Sequence, residues 1–175
     1  MIHEMEAPNL RVSKAIMAIY EHPSNAHSRP VSISSSMLKT PLTGVDANTS
    51  FTLTFPSAQA ILSTSINITS PPIGCTIRYE RGSITVAPPI SCPKKFTVQY
   101  HDSAHKVIRE ETRTFDYVGG GLHFQADEVA RCVRDGKRES GVWSHEKTLL
   151  EMEVFDHIRR NGGYIFPPGV EKVLS

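Results

Sequence analysis

Apolar positions recur along this chain at two periods, and the change between them divides it. From residue 30 to about residue 118 the period is two. Val31 and Ile33 lead into Ser35. Phe51, Leu53 and Phe55 alternate with Thr52 and Thr54. Ala60, Leu62, Thr64, Ile66 and Ile68 continue the pattern over a long third strand. Cys75, Ile77 and Tyr79 mark a fourth strand. Arg81-Gly82 then turns the chain into Ser83 to Ala87, and Pro88-Pro89 ends that strand. Phe96, Val98 and Tyr100 mark another, and a last strand spans about 106–118. Short connections between such neighbours predict an antiparallel meander.

On either side of this block the spacing is helical. Leu10 to Glu21 predicts a helix with Val12, Ile16, Ile19 and Tyr20 on its apolar face, stopped by Pro23. After Gly119-Gly120-Gly121, the residues Ala126, Val129, Ala130 and Val133 predict a second helix with one buried stripe. Asp127 and Glu128 read as its first turn, and Asp135-Gly136 as its end. Ser144 is a plausible N-cap for a third helix. Its apolar row is Leu149, Met152, Phe155 and Ile158, widened by Leu150 and Val154. Asn161-Gly162-Gly163 closes it. Strands grouped together and helices grouped last predict an α+β fold: an open antiparallel β-sheet with helices packed on one face. One domain is expected over 1–175, with a divergent segment at 1–14, a helix-and-strand part at 15–118, and a two-helix layer and tail at 119–175.

Composition narrows the function. The 175 residues carry 19 Lys and Arg against 18 Asp and Glu, a formal net charge of +1. No basic run is present, so neither a nucleic acid partner nor an anionic membrane surface is expected. No apolar run reaches spanning length, and residues 1–14 lack the apolar core of a leader, so a cytoplasmic protein is expected. Cys75, Cys92 and Cys132 are odd in number and far apart, as reduced thiols are. The Asn48-Thr49-Ser50 and Asn67-Ile68-Thr69 glycosylation patterns read as chance matches on strands.

Candidate chemistry is sparse. Gly119 and Gly121 match two positions of the dinucleotide fingerprint, but Phe124 stands where the third glycine belongs, and no parallel strand follows. No cofactor is therefore expected. His101 and His105 flank Asp102-Ser103-Ala104 in a hairpin loop, too few ligands for a metal, and none is expected. What remains is a group at helix ends. Tyr20 and His22 end the first helix, His123 and Phe124 open the second, and Trp143 and His145 open the third. One pocket rim formed by these six residues is the expected substrate site, with aromatics giving shape and histidines giving donors. The sheet face near Arg78 and Tyr100 is the fallback. A sheet covered on one side must still cover the other, so a homodimer through the sheet is expected, on the face of Phe51, Leu53 and Phe55.

The segment from Gly119-Gly120-Gly121-Leu122-His123-Phe124-Gln125-Ala126-Asp127-Glu128 to Lys137 resembles the C-terminal domain of Gfo/Idh/MocA oxidoreductases, in the dimeric dihydrodiol and NADP-dependent xylose dehydrogenase group. The likeness continues through Ser144-His145-Glu146-Lys147-Thr148-Leu149 and Gly162-Gly163-Tyr164-Ile165-Phe166-Pro167. Upstream it takes in Ala15 to Pro23 and Met37-Leu38-Lys39-Thr40-Pro41. The resemblance implies an open sheet with helices on one face, often dimeric through the sheet, behind a nucleotide-binding domain. That domain and its catalytic lysine have no counterpart here. Where the resemblance would place a catalytic Tyr or His, the chain reads Glu6-Ala7-Pro8-Asn9-Leu10. The expectation is thus a cofactor-independent isomerase or cyclase, for instance a Diels-Alderase of secondary metabolism. The rivals are a non-catalytic binding or dimerisation module and an inactive dehydrogenase relic.

Overall fold

The alternation of apolar and hydroxyl residues after Pro30 produces β1 (Ser32–Lys39), β2 (Asp46–Thr54) and β3 (Gln59–Ser65), an antiparallel sheet in the order β1-β2-β3. In this computed structural model, residues 13, 15–68, 72–166 and 169–170 are described. The register sets Leu53 opposite Ile33 and Ala60, and Phe51 opposite Ser35 and Leu62. That face is the core: Phe51, Leu53, Phe55 and Ala60 are buried. Helix α1, described over residues 15–20, adds buried Ile16, Met17 and Tyr20. The expected start of this helix, with Val12, lies outside the described residues.

Helix α3 (His145–Asn161) packs against β1. Ser35 Oγ donates to the Ile158 carbonyl at 3.2 Å, and Asn161 Nδ2 donates to the Ile33 carbonyl at 3.2 Å. Gly163, at φ +62, lets the chain leave the helix. The strands β1–β3, α1 and α3 make one compact unit, Val12–Ile68 with His145–Ser175. The outer face of its sheet carries Ser32, Ser34, Ser36, Asn48, Ser50, Thr52, Gln59, Ile61, Ser63 and Ser65, with Asp46 at its end.

The second unit joins Met1–Arg11 to Thr69–Ser144. It holds β4 (Cys75–Tyr79), β5 (Gly82–Val86), β6 (Lys95–His101) and β7 (Val107–Thr114), antiparallel in that order, and α2 (His123–Arg134). One face aligns Tyr79, Gly82, Tyr100 and Arg109, then Ile77, Ile84, Val98 and Glu111. The other aligns Arg78, Ser83, Gln99 and Glu110, then Thr76, Thr85, Thr97 and Thr112. Gly82 is required on its row because a Cβ there would strike the Gln99 carbonyl.

The α+β class, the antiparallel connections and the helix-covered sheet hold. The strands divide into two sheets where one was expected, and the expected boundary near residue 118 falls inside one unit, between β7 and α2. The expected buried stripe of α2 is a correction: this helix has no buried residue, and Val129 and Val133 are 63% and 75% exposed. Asp127 and Glu128 sit past its first turn, which holds no acid. In α3 the buried row is Leu150, Val154 and Ile158, while Leu149 and Met152 are exposed. The face expected to meet a second copy, with Phe51, Leu53 and Phe55, is the covered one, because helices of the same unit lie on it.

Candidate functional site

Of the six expected site residues, Tyr20, His22 and His145 belong to the three-stranded unit, and His123, Phe124 and Trp143 to the four-stranded one. Each group is built locally. Helix α1 ends at Tyr20, whose ring is buried and whose hydroxyl donates to Glu146 Oε1 at 2.9 Å. Partial burial first, and the neighbouring Glu146 carboxylate second, push the phenol pKa above its ordinary value. His27 stands edge-on to the ring, with centroids 5.2 Å apart. Beside this pair Glu21 and Lys147 form an ion pair. Ser13 donates to Glu151 one helical turn further on.

His22 has a different task. Its Nδ1 accepts from the Ser24 amide at 3.3 Å and caps the short turn Pro23–Asn25. His145 opens α3 on the surface. A half-open cleft of about 100 Å³ lies in the same unit, with Ile33, Leu150 and Val154 as its floor and Arg29, Glu153 and His157 at its mouth. That volume is well below the roughly 300–1,000 Å³ typical of small-molecule sites.

In the other unit the glycine turn meets an aromatic group. Tyr117 donates to the Cys92 carbonyl, Lys94 lies 4.7 Å over the Tyr117 ring, and Phe124 packs edge-on to it at 5.5 Å. His123 and Phe124 are neighbours at 4.2 Å between centroids. Trp143 is half-buried, and its amide donates to Ser140 Oγ at 3.4 Å. The same hydroxyl donates to Glu128 at 2.6 Å and, as the leading cause, holds that carboxyl below its usual pKa.

The turn does not suit a dinucleotide. Gly119 and Gly121 adopt φ +76 and +85, but a Cβ on Gly121 would run into the Cys92 side chain. Glycine serves close packing on a thiol there, not approach to a pyrophosphate. All the described strand pairings are antiparallel, so the crossover that shapes such a site is absent among the described residues. They also hold no cluster of three or more metal-ligating side chains; Asp102 instead ties the His101–His105 loop by accepting the Ala104 and Lys106 amides. Arg78 and Tyr100 project to opposite faces of their sheet, so they do not form one fallback site. Glu146 was missed by the sequence reading, although an acid in the first turn of α3 was a visible signal.

No protein-family model matches the chain. It is 31% identical over 144 residues to D-xylose 1-dehydrogenase (NADP(+)) of Hypocrea jecorina, a match covering 71% of this chain and 34% of that protein. It is 26% identical over 131 residues to trans-1,2-dihydrobenzene-1,2-diol dehydrogenase of Oryctolagus cuniculus, covering 71% of this chain and 38% of that one. The chain therefore spans little more than a third of the length of these curated relatives. Among solved structures, UDP-N-acetylglucosamine 3-dehydrogenase GnnA of Acidithiobacillus ferrooxidans aligns with a TM-score of 0.54 at 12% identity, over 85% of this chain and 50% of that one. Biliverdin reductase of Synechocystis aligns at 0.55 and 14%, over 88% and 44%. These likenesses speak to fold alone.

Two antiparallel sheets with their helices, aligned with these structures over most of the chain's length, define the α+β fold that they share. The chain belongs to the Gfo/Idh/MocA oxidoreductases, in the group of the xylose and dihydrodiol dehydrogenases, and corresponds to their C-terminal domain. Among the described residues no helix is long and apolar enough to cross a membrane.

Proposed function

We propose that this chain is the non-nucleotide domain of an oxidoreductase and acts by assembly, not as a closed enzyme in itself. Helix α2 carries the reading. It is apolar along one side, yet it has no buried residue. Such an open stripe fits a surface beyond the described residues. The relatives' names point to small polyhydroxylated substrates, a sugar and a ring diol, and we assign the chain to that substrate class. Self-association through the three-stranded sheet is part of the proposal. The direct test joins this chain to the part of the Hypocrea jecorina enzyme outside the match. The fusion should oxidise D-xylose with NADP+, while the chain alone shows no saturable NADP+ binding in calorimetry. Saturable binding by the chain alone, or a folded but inactive fusion, would count against the proposal.

A cofactor-independent isomerase or cyclase is the second reading, favoured by the Tyr20–Glu146 pair. A phenol kept protonated beside a carboxylate can hold one substrate oxygen while the α1–α3 scaffold sets its position. Under this reading Tyr20→Phe should lower turnover of the substrate at least ten-fold, about 1.4 kcal/mol, with the fold intact by circular dichroism. Full activity in folded Tyr20→Phe would remove the reading.

A further inference from the structure

Helix α2 is seated by its polar side. Along His123–Arg134 only Glu128 and Cys132, one turn apart, are half-buried, and every other residue is exposed. Ser140 donates to Glu128 at 2.6 Å, and the Cys132 thiol donates to the Glu139 carbonyl at 3.7 Å. The loop after the helix thus holds it from that side. Residues two apart lie about 200° apart around a helix. Ala126 and Ala130 therefore point away from Glu128, and Val129 and Val133 lie beside them.

One flank of this outward stripe is charged. Asp127, Arg131 and Arg134, at i, i+4 and i+7, line it, while the other flank carries Gln125 and no charge. Arg131 pairs with Glu128 at 3.4 Å and Arg134 with Asp135 at 2.7 Å. Both arginines are exposed, and exposed pairs of this kind exchange partners at little cost.

We propose that the stripe of α2 is a helix-pairing surface and that its occupant is α2 of a second copy, antiparallel about a two-fold axis between Val129 and Ala130. This inference rests on the reading above that the stripe serves assembly, and it uses no part of either sheet. The order of charges selects a second copy. In an antiparallel pair like flanks meet, so Asp127 of each copy stands level with the gap between Arg131 and Arg134 of the other. The same axis sets Ala126 against Val133 and Val129 against Ala130, small side chains on larger ones. In a parallel pair the charged flank would meet the Gln125 flank, and no opposite charges would pair. The two-fold closes the contact at two copies.

The test follows the full chain by sedimentation at hundreds of micromolar, since a 12-residue helix gives a small interface. Asp127→Lys makes the flank wholly basic, and Arg131→Glu with Arg134→Glu makes it wholly acidic. Each should weaken self-association at least ten-fold, with helix content intact by circular dichroism. An equimolar mixture of the two should recover it, because each then presents the charge that the other lacks. Val129→Asp should weaken it as far while leaving every flank charge in place. Association through a sheet would be the same in all these samples. Folded variants that associate like wild type, or a mixture that does not recover, overturn the helix pairing and leave the open stripe standing. A Val129→Asp chain destabilised as far as Leu150→Ala means that the stripe is already buried, and the assembly reading then falls together with this inference.

Discussion

Helices α2 and α3 pose the same sequence problem and have opposite outcomes. Each shows apolar residues at helical spacing, and each ends at glycine. In α3 the row Leu150, Val154 and Ile158 meets β1 and disappears into the core. In α2 the row Ala126, Val129, Ala130 and Val133 stays open. Hydrophobic periodicity states that a face is suited to burial. It does not state what buries it. The difference lies in the strands. The three-stranded sheet offers an apolar face of Phe51, Leu53 and Ala60 within its own unit, and α3 uses it. The four-stranded sheet offers one mixed face and one polar face of Thr and Gln, and among the described residues α2 meets its unit through the glycine turn on Cys92 and the packing of Phe124 on Tyr117.

The largest effect that separates the two helices is expected at Leu150, which is 2% exposed on the β1 side of α3. Leu150→Ala removes a fully buried side chain and should destabilise the chain by about 2–5 kcal/mol in urea unfolding.

A smaller effect should come from the polar seam between α1 and α3. Burial raises the Glu151 carboxyl pKa, with the Ser13 hydroxyl opposing it. An acid whose folded pKa is raised adds stability that is complete below its unfolded pKa. That stability is lost as pH rises through the folded value. Glu151→Gln should therefore be more stable than wild type at pH 7, and the gap in Tm should narrow as pH falls toward 4. A gap that is constant with pH would show that Glu151 does not titrate against folding.

Much of the fold is legible in the sequence. Cys75 to Tyr79 and the Arg81-Gly82 turn fall where the alternation puts them. So do the Asp102 loop and the glycine end of α3, because turn chemistry and period are local properties. Strand β1 runs on to Lys39, beyond the predicted apolar residues, since Ser36, Met37 and Leu38 pair with β2 whatever their hydropathy. Less of the site is legible. Tyr20 reads as a helix-end aromatic, but its partner Glu146 lies 126 residues away, and only the packing of α1 on α3 joins them. His22 reads as a donor for a ligand, and the structure gives it a cap. In α3 the buried row is the expected Ile158 with the widening pair Leu150 and Val154, on the side that meets β1.

The central claim is that the apolar stripe of α2 is not consumed by the chain's own described core. The most direct measurement replaces Val129 by Asp in the isolated chain and follows urea unfolding beside Leu150→Ala. Val129→Asp should change stability by no more than about 0.5 kcal/mol, as surface substitutions do, while Leu150→Ala costs several times as much. A Val129→Asp chain destabilised as far as Leu150→Ala would show that the stripe is already buried, and the assembly reading of this domain would be contradicted.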